Sequence, residues 1–141
     1  MENVGIVVED LPAAINFFAR LGLELEGEVT VDQDWAARIS GFDEVRLDVA
    51  MMRTPDGNGR VELMSYDTPT AIRTEPVNAP ANALGLRRVL FAVEDIEDVV
   101  AGLRARGVEL VGELTPVEDS YLFCYVRGPE GIIVALAEKL G

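Results

Sequence analysis

One segment of the sequence occurs twice in the chain, and this internal repeat constrains the fold more than any other feature. Residues 3–28 recur without a gap at residues 88–113, so every matched position is displaced by 85 (88 minus 3). The identical positions are Val4, Val8, Glu9, Asp10, Gly22, Glu24, Leu25, Gly27 and Glu28, which return as Val89, Val93, Glu94, Asp95, Gly107, Glu109, Leu110, Gly112 and Glu113. We therefore expect two copies of one structural unit in a single chain.

Each copy predicts a strand, a helix and a second strand. In the first copy, residues 4–8 have the length and β-branched content of a strand, and Asp10 is suited to cap the helix that follows. Pro12 fits the first turn, and Gly22 ends the helix in the left-handed conformation. The predicted buried stripes are Leu11, Ile15, Phe18 and either Leu21 or Ala14 in the first helix, and Ile96, Val99, Val100 and Leu103 in the second.

Two more strands complete each copy. Alternating or apolar runs flank turn sequences rich in glycine and proline, which is typical of hairpins. A short helix is expected between the second and third strands of the first copy, within residues 31–42, with Asp32 or Asp34 as its cap. The predicted strands are 46–52 and 60–66 in the first copy, and 121–126 and 132–137 in the second.

The repeat also predicts the domain organisation. A chain of 141 residues suits one domain, and we expect residues 1–141 to form it. Within it, residues 1–66 form one βαβββ module and residues 85–141 the other, which makes an α+β fold. Residues 67–84 contain three prolines and are predicted to be the linker.

Composition narrows the possible partners and the compartment. The formal net charge is −13, so the chain would be repelled by nucleic acid and by anionic membrane surfaces. The single cysteine, Cys124, fits a reducing compartment, and no signal peptide is evident. We expect a cytoplasmic protein. Histidine is absent, which removes the usual neutral-pH base and the commonest nitrogen ligand for metals.

Two further motifs mark each module. Val8-Glu9-Asp10-Leu11 and Val93-Glu94-Asp95-Ile96 close the first strands, and the segments 53–57 (RTPDG) and 127–131 (RGPEG) precede the last ones. In these motifs the chain resembles the vicinal oxygen chelate superfamily, which includes glyoxalase I, extradiol dioxygenases, methylmalonyl-CoA epimerase, fosfomycin-resistance enzymes and metal-free bleomycin-binding proteins. The resemblance implies curved mixed sheets around a cleft, the glyoxalase/bleomycin-resistance fold.

The resemblance also implies where a metal would be held, and this sequence departs from that pattern. The matching positions are Asn3, Glu62, Arg88 and Ala135. Only Glu62 is a usual metal ligand, since arginine stays cationic and alanine has no donor atom. We therefore expect no metal and no other cofactor, and we expect the Arg88 guanidinium to pair with Glu62 in its place.

Strand alternation predicts which side chains line the cleft, because residues two apart share a face. On the third strand we expect Asp48, Ala50 and Met52 to face the cleft, with Leu47, Val49 and Met51 as the alternative. The predicted ligand-binding residues are Asn3, Trp35, Asp48, Met52, Glu62, Met64, Tyr66, Arg88, Leu90, Tyr121, Phe123 and Tyr125. Cys124 is expected to point towards the helices and to be inert.

This inventory favours binding over catalysis, because it is apolar and aromatic with few ionisable groups. We expect a metal-free protein that sequesters an aromatic or amphipathic small molecule, similar to the antibiotic-binding resistance proteins. The alternative is a metal-dependent enzyme of the glyoxalase or epimerase type, an isomerase or lyase, or a dioxygenase, using Glu62, Asn3 and either Asp48 or Asp119. In both cases a homodimer is expected, since the resemblance implies two-fold assembly.

Overall fold

The computed structural model describes all 141 residues of the chain. They form two compact units, Met1–Arg73 (the first unit) and Thr74–Gly141 (the second unit), each built from a mixed four-stranded sheet and helices. The predicted α+β fold of tandem βαβββ modules is confirmed. The elements are β1 (Val4–Val7), α1 (Leu11–Arg20), β2 (Glu24–Val31), α2 (Asp34–Ser40), β3 (Arg46–Arg53), β4 (Arg60–Thr68), β5 (Arg88–Ala92), α3 (Ile96–Arg104), β6 (Thr115–Val117), β7 (Tyr121–Arg127) and β8 (Ile133–Lys139).

The sheet of the first unit has the order β1-β4-β3-β2, with β1 parallel to β4 and the other pairs antiparallel. Helix α1 contacts β3 and β4, and we call the side that it covers the helix face. The opposite side is the open face. The buried residues of α1 are Leu11, Ala14, Phe17 and Phe18, and the fully or almost fully buried residues on the helix face of the strands are Ala50, Met52, Val61 and Leu63.

Helices α1 and α3 begin in the same way, as the repeat predicts. The Asp10 carboxylate accepts a hydrogen bond from the backbone N–H of Ala13 at 3.0 Å, and Asp95 accepts one from Asp98 at 3.1 Å. Each bond satisfies one of the backbone donors that a helix leaves unpaired in its first turn. Both predicted caps are confirmed.

The predicted cap of α2 is wrong. The N-cap is Gln33, whose side chain makes no capping bond, and Asp34 is already the first helical residue. Asp32 instead pairs with Arg46 at 3.5 Å. The helix ends at Gly41, which has the left-handed φ of 77°.

The sheet of the second unit has the order β5-β8-β7-β6, and here the second copy departs from the first. Its edge strand β6 has three residues where β2 has eight, and one further bridge joins Leu110 to Val126. Residues 111–114, between this bridge and β6, have no strand structure, and Pro116 lies within β6 opposite Leu122. The second strand expected in this copy is therefore reduced to fragments.

The segment predicted to be a linker is divided between the two units. Strand β4 continues to Thr68, and the boundary between the units follows Arg73. Beyond it, Arg127 Nη1 donates to the carbonyl of Ala79 at 2.8 Å, so this part of the segment is held against β7 within the second unit. No helix in the chain is long and apolar enough to span a membrane.

Candidate functional site

The open face of the first unit is a set of rows, because paired residues on neighbouring strands point to the same side. Asn3 lies just before β1 at its edge. The register places Val7, Met64, Val49 and Val29 in one row, and Tyr66, Leu47 and Val31 in the row towards α2. On the other side of the Met64 row lie Gly5, Glu62, Met51 and Gly27.

Glu62 is the acidic side chain in the middle of this face. It is half-buried between apolar neighbours and forms no hydrogen bond or ion pair within the first unit. Its partner on β1 is Gly5, and the Met64 side chain fills the space beside this glycine, since its Cε atom lies 2.8 Å from where a Cβ of Gly5 would stand. The carboxylate is thus surrounded by methionine and glycine rather than by donors.

Helix α2 covers one end of the open face. Its buried Ala36 and Ala37 pack with Leu47 and Val49, and the half-buried Val31, Met64 and Tyr66 join this cluster. The Phe42 ring meets the Tyr66 ring edge-on, with 6.5 Å between centroids. Trp35, predicted to be in the pocket, is on α2 and is 56% exposed. The sequence analysis missed the role of α2, because small alanines give no signal of the surface they cover.

The prediction that Asp48 and Met52 share the face of Glu62 is wrong. Met51 is the partner of Glu62 on β3, so Met52 points the other way, where it pairs with Val61 and is 0% exposed. Asp48 follows the same parity and accepts a hydrogen bond from Thr30 Oγ1 at 2.7 Å. The residues of β3 on the open face are the alternative set, Leu47, Val49 and Met51.

In the second unit α3 packs against β8, and we again call the side that the helix covers the helix face and the other side the open face. The open face carries the aromatic side chains, which were predicted to lie away from the helix. Tyr121, Phe123 and Tyr125 alternate with the buried Cys124 and Val126 along β7. The register forms three rows across the sheet: Arg88, Ile133 and Arg127; Leu90, Ala135 and Tyr125; and Ala92, Ala137 and Phe123. Tyr121 lies at the end of the face opposite Lys139.

Three of the predicted site residues meet on this face. The Arg88 Cζ atom lies 5.3 Å from the centroid of the Tyr125 ring, a cation–π contact. The Phe123 and Tyr125 rings are 5.8 Å apart at an angle of 66°. Leu90 stays 49% exposed beside them. We call Arg88, Leu90, Phe123 and Tyr125 the aromatic cluster.

The four positions at which the resemblance implies metal ligands do not supply a usual ligand set in this chain. Ala135 is 0% exposed and has no donor atom, and Arg88 directs a permanent positive charge onto the same face. No group of three or more histidine, cysteine, aspartate or glutamate side chains in the chain is arranged to hold a metal ion. Asn3 and Glu62 remain as oxygen donors, and they lie in the first unit.

Two other predictions concern Cys124 and the Arg88–Glu62 pair. Cys124 lies on the helix face opposite Leu136 and is buried, which confirms its predicted orientation. Burial raises the pKa of its thiol.

Glu62 and Arg88 belong to different units, and their pairing stays a prediction.

Comparison with known proteins identifies the family. The family model for the glyoxalase/bleomycin resistance protein/dioxygenase superfamily matches residues 1–136. A glyoxalase family protein from Bacillus cereus is 50% identical, with a TM-score of 0.95 over 100% of this chain and 94% of that chain. A comparison with curated protein sequences found no match.

More distant structures share the fold. A glyoxalase family protein from Enterococcus faecalis is 24% identical, with a TM-score of 0.65 over 98% of this chain and 96% of that one. The trypanothione-dependent glyoxalase I of Leishmania major is 19% identical, with a TM-score of 0.66 over 98% of this chain and 85% of that one.

Proposed function

Because the chain belongs to the glyoxalase/bleomycin resistance protein/dioxygenase superfamily, we propose that it is a metal-free member that binds and sequesters an aromatic or amphipathic small molecule. The observation that carries the proposal is the aromatic cluster. At two of the positions where a relative would hold its metal, this chain has Arg88 and Ala135, and Arg88 lies over the Tyr125 ring.

Binding of this kind needs apolar and aromatic side chains that a ligand can reach, and both open faces have such side chains. In the second unit, Leu90 and Tyr121 are 49% and 42% exposed on a paired sheet. In the first unit, Met64 lies unbranched and flexible across Gly5, and methionine adapts its shape to varied ligands. The single cysteine does not contribute to these surfaces, since Cys124 is buried on the other face.

Calorimetry tests the proposal directly. Chelator-treated protein is titrated with a panel of polycyclic and peptide antibiotics, and we expect at least one to bind in a stoichiometric ratio. The variant Tyr125→Ala should weaken that binding about tenfold or more, since aromatic contacts dominate such sites. The control Leu84→Ala, which also removes an exposed apolar side chain, should leave it unchanged. Absence of binding across the panel would contradict the proposal.

The proposal includes a homodimer in a cytoplasmic compartment. Two-fold assembly gives two equivalent binding sites and is the commonest symmetry among soluble oligomers. Light scattering at micromolar concentration should give twice the 15.3 kDa mass of the chain. A mass of one chain would contradict the dimer and leave the binding proposal in place.

A metal-dependent isomerase, lyase or dioxygenase is the second candidate, and Glu62 favours it. This carboxylate has no partner within the first unit and lies on the open face, where a general base would need to be. Elemental analysis of protein purified without chelator separates the two candidates. A transition metal in stoichiometric amount that is lost in Glu62→Gln would favour the enzyme over the binding protein.

A further inference from the structure

We infer that Arg88 is the anion-recognition residue of the second unit, and that the ligand is an aromatic compound with a carboxylate, sulfonate or phosphate group. The inference rests on the proposed binding function and specifies the chemical class of its ligand. It comes from the contrast between the two arginines of one row on the open face, Arg88 and Arg127.

Arg127 is held by the backbone of the protein through one of its terminal nitrogens. Its Nη1 atom donates to the carbonyls of Ala79 and Gly131, at 2.8 and 2.9 Å, so this arginine fixes the segment before β5 against the turn before β8. Arg88 forms no hydrogen bond or ion pair within the second unit. Its guanidinium is instead in cation–π contact with the Tyr125 ring. The two cations of the row are therefore not equivalent.

The Tyr125 ring contacts the guanidinium without using its N–H groups. A guanidinium carries five N–H donors, and attraction to a ring leaves them available for an anion. Two parallel N–H groups match two oxygens of a carboxylate, a sulfonate or a phosphate group. Arg88 is thus held in place and still able to bind.

The surrounding residues indicate that the anion belongs to an aromatic molecule. Strand β8 lies between β5 and β7, and its Ala135 gives Arg88 room to reach across towards Tyr125. Phe123 and the exposed Leu90 border the same contact. A planar ligand could stack on these apolar groups while its anionic substituent meets Arg88.

A pair of probes tests this inference. 8-Anilinonaphthalene-1-sulfonate and N-phenyl-1-naphthylamine share an aromatic skeleton, only the former carries an anion, and both gain fluorescence on apolar surfaces. We expect Arg88→Met to weaken sulfonate binding about tenfold and to change binding of the neutral amine less than about twofold. Arg88→Lys should lose about threefold for the sulfonate, since lysine keeps the charge without the planar pair of donors.

The control is Arg106→Met, which removes the same charge from a residue outside the sheet, just after α3. It should change binding of neither probe. Equal weakening of both probes in Arg88→Met, or no weakening of the sulfonate, would overturn the inference while the binding function stands. Failure of both probes to bind the unaltered protein would instead count against the proposed function. Circular dichroism of each variant shows whether it is folded.

Discussion

The two units start from the same sequence pattern and differ in what lies on their open faces. In the first unit, residues 32–45 between β2 and β3 contain α2, which covers one end of the face at Leu47 and Val49. In the second unit, only residues 118–120 join β6 to β7, and no helix covers Tyr121 or Leu90. The length of one connection therefore decides which open face is partly covered and which stays exposed.

The helix faces of the two units, unlike the open faces, closely resemble each other. Asp10 and Asp95 make the same capping bond, and Phe18 and Leu103, also 85 positions apart, are both almost fully buried. Packing a helix on a sheet imposes similar demands in both units, whereas a ligand imposes demands on one face only. The main difference in exposed side chains between the copies thus lies on the open faces.

Removal of the matched core side chains should give the largest effect. We expect Phe18→Ala to lower the free energy of unfolding by about 3–5 kcal/mol and Leu103→Ala by about 2–5 kcal/mol, since each leaves a cavity in a closed interior. Urea unfolding followed by circular dichroism measures the loss. Effects below about 1 kcal/mol for either variant would contradict the equivalence of the two cores.

The single tryptophan sharpens this test, because Trp35 belongs to the first unit and its fluorescence reports on that unit. If Leu103→Ala shifts the Trp35 transition as far as the circular dichroism transition, the two units unfold together. A shift seen only by circular dichroism would show that the units unfold separately.

The turn glycines of the two RxPxG motifs provide the next comparison. Gly57 and Gly131 both have a left-handed φ, 77° and 79°, but a Cβ on Gly57 would meet nothing within 4 Å. A Cβ on Gly131 would collide with the Val77 carbonyl and lie 2.7 Å from Asn78 Oδ1. We expect Gly57→Ala to cost about 1–2 kcal/mol and Gly131→Ala roughly 2–5 kcal/mol. Equal costs in urea unfolding would show that residues 77–78 move away at little expense.

The repeat allowed most of the fold to be predicted, because it fixed strands, helices and caps twice over. The face of β3 could not be predicted, since Leu47, Val49 and Met51 are as apolar as Ala50 and Met52. Only the pairing of Met51 with Glu62 decides which set shares the open face. In a hairpin the register is set by the turn as well as by the apolar pattern, and the pattern of β3 alone does not distinguish its two faces.

The candidate site was predicted best where its residues alternate most clearly. Tyr121, Phe123 and Tyr125 contrast in size with Leu122, Cys124 and Val126, and this contrast correctly predicted which side of β7 lies away from the helix. That these rings bind a ligand stays a prediction. The contact between Arg88 and Tyr125 spans three strands, and its geometry depends on the small Ala135 between them. The sequence showed both residues at the site but not their contact.

The smallest expected effect concerns the edge strand of the first unit, β2. Its acidic side chains form ion pairs with arginines of β3 and β4. Glu26 occupies a bulge in β2, and Arg60 Nε donates to its carboxylate at 2.6 Å. This hydrogen bond from Arg60, helped by the charges of Arg60 and Arg53 and opposed by desolvation, lowers the pKa of Glu26 below its ordinary value of 4.5.

A lowered folded-state pKa means that the pair stabilises the native state fully above the ordinary carboxyl pKa, and that this contribution is lost as the pH falls through the lowered value. Arg60→Met should raise the pKa of Glu26 towards 4.5, and Arg53→Met should raise it less, because Arg53 acts only through its charge. Carbon-13 titration of the Glu26 carboxyl by NMR measures both shifts. An unchanged pKa of Glu26 in Arg60→Met would show that solvent screens this exposed pair. The ion pairs would then not stabilise the edge strand of the first unit.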